Sequence, residues 1–429
     1  MMSLLSSPPA LALSARELET VDRFVPYLQK NALEYASALR AEGFDPPSVS
    51  AILNQAKLRT QGLSKFGEAA QKMVLTEAGF EQATRASVAR LHAQRFKEAG
   101  VVSVADLGCG IGADSLEFSR AGMSVLAVEL DEATAAMTAH NLSDYPRSMV
   151  KVGNVEHLDI SELKDNEGNP VQGLWLDPAR RTVEQGRTSS RIFDAEAFSP
   201  PLSFVVKLAQ TGIPMGVKMG PGIPHHEIPE QCEAQWISHG GQVVEVVLWF
   251  NALARKNVRR SATLLSPHPL EPEILFEITS AIDDVEVPPA DSGEIEGFLY
   301  EPDGAIVRAH LVSELADQLG AHLIDEHIAY LSADKELDSP AVSGYRILGE
   351  MPLQEKVLKK WVREENIGTL TIKKRGVDIV PEQLRKKLLG QSKKKKGSVE
   401  GTLIVTRLGE GTASRRLALS AQSLMTFTG

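Results

Sequence analysis

The chain is poor in cysteine: Cys109 and Cys232 are the only two in 429 residues, too few for a disulfide framework and, by themselves, for a zinc site. Long hydrophobic runs are missing as well. No stretch approaches the roughly 18 apolar residues that span a bilayer. The opening Met1-Met2-Ser3-Leu4-Leu5-Ser6-Ser7-Pro8-Pro9 has neither the cationic start nor the unbroken apolar segment of an export signal. A disulfide-stapled secreted domain and a helical membrane protein are thereby excluded, and a cytoplasmic protein is expected. Positive charge is also in deficit. The formal net charge of −10 argues against a surface that attracts phosphate backbones everywhere.

That average hides an asymmetry. Between Glu355 and Lys396 stand 14 Lys or Arg against 5 Asp or Glu, a local net charge of +9 that leaves −19 for the rest. The length calls for more than one core, and texture divides the chain into four parts. Residues 1–97 carry apolar positions at helical spacing, with breaks at Gly43-Phe44-Asp45-Pro46-Pro47 and at Gly62 and a last helix from Phe80 to Phe96. Residues 98–267 alternate helical patterns with short β-branched runs at 101–105, 124–128, 149–152, 173–176, 213–218, 243–249 and 259–265. This alternation specifies an open, mostly parallel α/β sheet. Only Phe250 to Asn257 joins the last two runs, which leaves no room for a crossover helix and predicts a hairpin with one antiparallel strand. Residues 268–340, acidic and proline-rich at their start, read as a linker or accessory module. Residues 341–429 read as a basic α/β module, with helices at 355–365 and 382–389, a strand at 369–373 and a closing strand at 401–407.

The chemistry concentrates in two places. Asp106-Leu107-Gly108-Cys109-Gly110-Ile111-Gly112 lies directly after the first predicted strand and directly before a helix. Glycines there let the backbone turn tightly against a ligand. Glu129, nineteen residues past Gly110 at the end of the second run, can accept hydrogen bonds from both ribose hydroxyls, with Asp131 as the near alternative. The set predicts a nucleoside-type cofactor. Asp106 would repel a pyrophosphate but suits a sulfonium and an α-amino group, so S-adenosylmethionine is expected rather than NAD.

The second place is Asp177-Pro178-Ala179-Arg180-Arg181, at the end of the fourth run and beside the sheet's topological switch point. Pro178 stiffens the turn, and Asp177 presents a carboxylate toward the methyl donor. Methyl transfer needs little acid–base chemistry, because in-line positioning supplies much of the acceleration. For a nitrogen target, Asp177 would hold the amino hydrogens. Arg180 and Arg181, with Arg187 and Arg191 beyond them, and Lys218 at the end of the fifth run are candidate contacts to an anionic substrate. His225 and His226 follow in a Gly- and Pro-shaped loop, but no third ligand accompanies them and no metal is expected.

With Val128-Glu129-Leu130-Asp131, the glycine-rich segment resembles the first two cofactor motifs of the Rossmann-like S-adenosylmethionine-dependent methyltransferases, a family that closes its seven-stranded sheet with a hairpin. The resemblance implies that Asp106, Gly108, Gly110 and Gly112 cradle the methionine portion and that Glu129 holds the ribose. Asn154 stands where the family often has an Asp against the adenine amino group, and its amide oxygen can accept the same hydrogen bond. Asp177 to Arg180 is similar to the Asp-Pro-Pro-(Tyr/Arg/Phe) motif of nucleic-acid methyltransferases. It departs at Ala179, which removes a rigid proline and the aromatic that would stack a flipped base. Residues 344–407, through Ile372-Lys373-Lys374-Arg375-Gly376-Val377-Asp378 and Leu403-Ile404-Val405-Thr406-Arg407, resemble the THUMP-like module that follows such methyltransferases in bacterial proteins. THUMP modules proper imply RNA, usually tRNA or rRNA.

The expected protein is therefore α/β, with a Rossmann-like seven-stranded methyltransferase sheet, an N-terminal helical domain and a C-terminal THUMP-like module. The helical domain would cover the cofactor, with Gln82 and Thr84 near its methionine end. Lys373, Lys374 and Arg375, together with a second cluster at Lys386, Lys387 and Lys393 to Lys396, would grip RNA by releasing counterions from its backbone. The expected activity is methylation of a base in tRNA or rRNA. Two alternatives stay open: a methyltransferase acting on a protein or small molecule, and a non-catalytic RNA-binding or assembly protein that retains the cofactor pocket.

Overall fold

A computed structural model describes residues 5–180, 195–268, 271, 273–280, 292–390, 398–409 and 414–424, with Arg180 and Ala195 in their backbone only. The chain folds into two units. The first comprises Met1–Ile237, Val244–Lys256 and Pro267–Glu273, and the second Ser238–Val243, Asn257–Ser266 and Ile274–Gly429.

The first unit opens with five helices, α1 (Ala15–Val21), α2 (Ala32–Ala41), α3 (Pro46–Phe66), α4 (Glu77–Gln82) and α5 (Ala86–Glu98). Local chemistry starts them. Ser14 and Glu17 form a reciprocal capping box at α1. Asp45 accepts the Ser48 N–H at 2.9 Å before α3, whose first residues are prolines at positions that need no donor. Gly62, expected as a break, lies inside α3. A Cβ there would come within 3.0 Å of the Ala70 methyl, so the glycine serves close packing rather than helix termination. The single helix expected from Phe80 to Phe96 is two, because the chain is extended at Ala83 and Arg85 and Thr84 turns inward between them.

The sheet follows: β1 (Ser103–Leu107), β2 (Ser124–Glu129), β3 (Ser148–Val152), β4 (Gly173–Leu176), β5 (Met215–Met219), β6 (Cys232–His239) and β7 (Gln242–Phe250). They run in the order β3-β2-β1-β4-β5-β7-β6. The first five are parallel, and β7 is antiparallel to β5. Helices α6 (Ala113–Arg120), α7 (Glu132–Asn141) and α8 (Leu202–Ala209) connect them. β1 and β4 are buried along their whole length, as sheet strands covered on both faces must be. Behind them Phe96, Phe118, Trp175 and Trp249 pack edge to face or tilted, with centroids 5.2–6.4 Å apart.

β6 escaped the sequence reading, and its absence misassigned the hairpin. The run at 243–249 does not turn back onto 259–265. It pairs with β6 through Gly240-Gly241, both at positive φ. β6 hides because its polar residues are buried: Glu233 meets Arg95 at 2.7 Å and Arg255 at 2.6 Å, while Gln235 accepts the Trp249 indole N–H at 2.8 Å. A strand with buried glutamate and glutamine shows no apolar pattern.

In the second unit β8 (Arg260–Leu265) pairs antiparallel with β9 (Ile274–Ser280). A further sheet contains β10 (Phe298–Pro302), β11 (His322–Asp325), β12 (Ile328–Ala333), β13 (Val342–Pro352), β14 (Ile367–Lys374), β15 (Val399–Leu408) and β16 (Arg415–Ser423), in the order β11-β12-β10-β13-β16-β15-β14. Helices α9 (Gly304–Arg308) and α10 (Val312–Leu319) precede β11, while α11 (Glu355–Glu364) and α12 (Pro381–Leu389) flank β14. The segment read as a linker or accessory module supplies three strands of this sheet, and β10 pairs with β13 from Phe298↔Arg346 to Pro302↔Val342. The closing strand is β16 rather than β15. Its Leu417-Ala418-Leu419-Ser420-Ala421 run lacks the β-branched residues that mark strands.

Candidate active site

The glycine-rich turn leaves β1 with Gly108, Gly110 and Gly112 at φ +90°, +54° and +82°. At Gly112 a Cβ would also come within 2.8 Å of the Thr138 methyl, whereas over Gly110 there is open space. The turn is fixed to β2: Gly108 and Cys109 N–H donate to the Val128 carbonyl at 2.8 and 3.1 Å. Glu129 ends β2, and its carboxylate accepts from Gly110 N–H at 3.0 Å, Leu130 N–H at 2.8 Å and Asp131 N–H at 3.0 Å. Asp131 caps α7 through Thr134 N–H at 2.8 Å, which commits the alternative carboxylate to the helix. After β3, Asn154 Oδ1 accepts Glu156 N–H at 2.9 Å.

Asp106 is the unusual member. It is buried, its Oδ2 accepts from Ser115 Oγ at 2.5 Å, and its Oδ1 has no partner among the described residues. Burial holds its pKa well above the usual carboxylate range, and the charges of Asp114, Asp177 and Glu129 push the same way. A buried carboxylate oxygen without a donor, ringed by further carboxylates beside an open glycine turn, is a place for a cationic group. These residues therefore fit a sulfonium or α-ammonium ligand and would oppose a pyrophosphate.

At the end of β4, the Asp177 backbone carbonyl would lie 3.7 Å from a Cβ on Gly108, which puts the two motifs side by side. Asp177 Oδ2 is 2.6 Å from Lys218 Nζ on β5, and the same ammonium donates to Thr84 Oγ1 at 3.1 Å. Below this pair lies a charged group that the sequence reading missed. His92 on α5 is fully buried, with Nδ1 2.8 Å from Asp114 on α6 and Nε2 2.7 Å from Glu245 on β7. Its ring lies 4.3 Å from Trp175. Burial alone would strip its proton, but Glu245 and Asp114 outweigh that and raise its pKa to about 9. Asp114 is in turn held below its ordinary value: burial raises it, and the bond to His92 more than compensates. The only trace in the sequence is a histidine on the apolar face of α5, in helical register with Val88, Ala89 and Phe96.

His92 thus carries a stability signature. Its pKa is raised above the unfolded value of 6.5 to about 9, so its contribution is complete below pH 6.5 and is lost as pH rises through about 9. His92→Leu would leave Asp114 and Glu245 buried without the cation that bridges them. This is expected to cost about 3–5 kcal/mol in urea unfolding at pH 6 and to flatten the decline of stability between pH 6.5 and 9. A cost below about 1 kcal/mol, outside the range for breaking a buried pair, would contradict the charged assignment.

Of the residues singled out from sequence, the fold brings together Asp106, Gly108, Gly110, Gly112, Glu129, Asp177, Lys218 and Thr84. Pro178 is buried beside Asp177. Gln82 is exposed at the end of α4. The α4 segment itself does lie on the turn, since a Cβ at Gly79 would strike Ile111 at 2.6 Å. Ala179–Arg180 forms a short ladder with Phe198–Ser199, while Arg181, Arg187 and Arg191 lie outside the described residues. His225 stacks on Trp236 at 5.1 Å, and His226 is exposed.

In the second unit the three consecutive cations differ from one another. Lys373 Nζ lies 3.1 Å and Arg375 Nη2 3.3 Å from the two oxygens of Glu301 on β10, and Arg375 also covers the Tyr330 ring. Lys374 between them is exposed, as are Lys386 and Lys387 on α12. Lys393 to Lys396 lie outside the described residues.

Residues 342–423 match the family described as THUMP domain-like. Two Mycobacterium tuberculosis proteins, from strains CDC 1551 / Oshkosh and ATCC 25618 / H37Rv, bear the name S-adenosylmethionine-dependent methyltransferase. Each is 30% identical over 365 residues, covering 83% of this chain and 92% of its own length. In fold, the chain is similar to a crystal structure from Porphyromonas gingivalis W83 described as a methyltransferase, with a TM-score of 0.71 at 17% identity over 96% of this chain and 100% of that one.

Proposed function

The chain belongs to the S-adenosylmethionine-dependent methyltransferases represented by its Mycobacterium relatives, and from that membership we propose that it methylates a base in tRNA or rRNA. One observation carries the step to RNA. A chain of net charge −10 carries a local net of +9 between Glu355 and Lys396, inside a THUMP domain-like region where Lys356, Lys360, Arg363, Lys374, Lys386 and Lys387 are all exposed. Confined to one module, such a set supports sequence-independent attachment to a phosphate backbone.

Bound at the glycine turn, the cofactor supplies a methyl group on a sulfonium, a leaving group that needs no protonation. The work left to the protein is placement. Asp106 holds positive charge at the end of β1, Glu129 takes the ribose hydroxyls, and Asn154 meets the adenine. Asp177 accepts a hydrogen bond from the N–H of the target amine, orienting its lone pair toward the methyl group. Pro178 fixes the turn, and Arg180 and Arg181 meet the substrate's phosphates.

The basic surface is tested without disturbing the Glu301 pairs. Lys374→Glu, Lys386→Glu and Lys387→Glu together are expected to weaken binding of bulk tRNA and to reduce the slope of log K against log salt by about 2, at roughly 0.7 per lost contact. Fluorescence anisotropy across a salt titration measures both. Unchanged affinity in low salt would remove RNA from the proposal and leave a protein or small-molecule acceptor.

A further inference from the structure

Lys218 was expected to meet an anionic substrate, but its ammonium is already engaged. It bridges Asp177 Oδ2 at 2.6 Å and Thr84 Oγ1 at 3.1 Å, and its side chain is 14% exposed against 35% for Asp177. Asp177 Oδ1 has no hydrogen-bond partner among the described residues, so one carboxylate oxygen of this partly exposed side chain is tethered and the other is not. We propose that Lys218 is a positioning residue for methyl transfer: it fixes the Asp177 carboxylate by one oxygen, keeps it ionised, and leaves Oδ1 as the acceptor for the target N–H. This rests on the reading of Asp177 as the group that orients the acceptor amine.

The surroundings explain why a tether is needed. Burial raises the pKa of Asp177, and the carboxylates of Asp114 on α6 and Glu245 on β7 push it the same way. Lys218 is the counterweight. Its own proton is secure: burial would lower its pKa, but Asp177, Glu245 and Asp114 raise it above the ordinary lysine value. The other cations nearby serve elsewhere. His92 lies between Asp114 and Glu245, and Lys65 on α3, which faces Lys218, donates to the Phe80 and Glu81 carbonyls at the end of α4. Without Lys218, Asp177 would be a half-buried carboxylate among like charges. It would take up a proton at higher pH and lose its fixed aim.

Lys218→Met, Lys218→Arg, Asp177→Asn and the double variant Lys218→Met/Asp177→Asn separate this role from simple structural support. One arm measures thermal unfolding from pH 5 to 9 and needs no substrate. The deficit of Lys218→Met relative to wild type is expected to grow as pH rises, because the untethered carboxyl has a raised folded-state pKa and destabilises the fold once ionised. In the Asp177→Asn background that pH dependence disappears. A pH-independent deficit, or one that persists in the Asp177→Asn background, overturns the proposal. The second arm follows transfer of labelled methyl groups from adenosylmethionine to total RNA from cells lacking the gene. Lys218→Met is expected to lower kcat about 100-fold, the scale of a misplaced reacting group, and to move the acid limb of its pH profile upward. Lys218→Arg restores the limb and most of the rate. If wild type labels no RNA, the RNA reading fails, while the unfolding arm still decides the tether. If it labels RNA and Lys218→Met keeps the wild-type limb, the tether fails alone.

Discussion

Asp177→Asn is expected to slow methyl transfer by about 100- to 1,000-fold, the loss that follows removal of one preorganised polar group from a transition state, while adenosylmethionine affinity stays within about twofold, since the carboxylate serves the acceptor rather than the cofactor. The substitution keeps the size of the side chain and an oxygen for Lys218, so the fold is retained. What it removes is a negatively charged acceptor at the open end of β4. Single-turnover transfer to RNA from cells lacking the gene, alongside calorimetric binding of the cofactor, measures both halves. A rate within tenfold of wild type would take Asp177 out of the chemistry.

The second large effect belongs to Asp106. Its Oδ1 is buried without a partner among the described residues, and burial together with nearby carboxylates raises its pKa well above the ordinary value. A cationic ligand favours the ionised form. Cofactor binding therefore draws a proton from this group, and affinity for adenosylmethionine falls as pH drops through the raised pKa. Asp106→Asn is expected to weaken binding roughly 10- to 100-fold at neutral pH, the worth of a hydrogen bond to a charged group, and to remove most of that pH dependence. Calorimetry in buffers of different ionisation enthalpy reports affinity and proton release together. Equal affinity and equal proton release in the variant would show that Asp106 does not face the cation.

What was legible in the sequence was local. The turn from β1 announces itself because three glycines at alternate positions between an apolar run and a helix have a single backbone use, and Glu129 and Asp177 follow because each ends a strand. Partnerships were not legible. His92, Asp114 and Glu245 come from three separate elements and meet only when α5, α6 and β7 pack, so no spacing rule reaches them. Lys218 was visible as a strand-end cation, yet its partner Asp177 lies 41 residues earlier. β6 was lost because its buried Glu233 and Gln235 imitate surface residues. The three cations at 373–375 look equivalent in a string of letters, but Glu301 pairs with two and leaves Lys374 exposed.

The most direct test of the whole account is a comparison of modified nucleosides, by mass spectrometry, in tRNA and rRNA from cells that carry the gene, lack it, or lack it and express the Asp177→Asn variant. The account predicts one methylated nucleoside that disappears with the gene, returns with the wild-type chain and stays absent with the variant. Identical nucleoside profiles in all three strains, or full methylation by the variant, would contradict it.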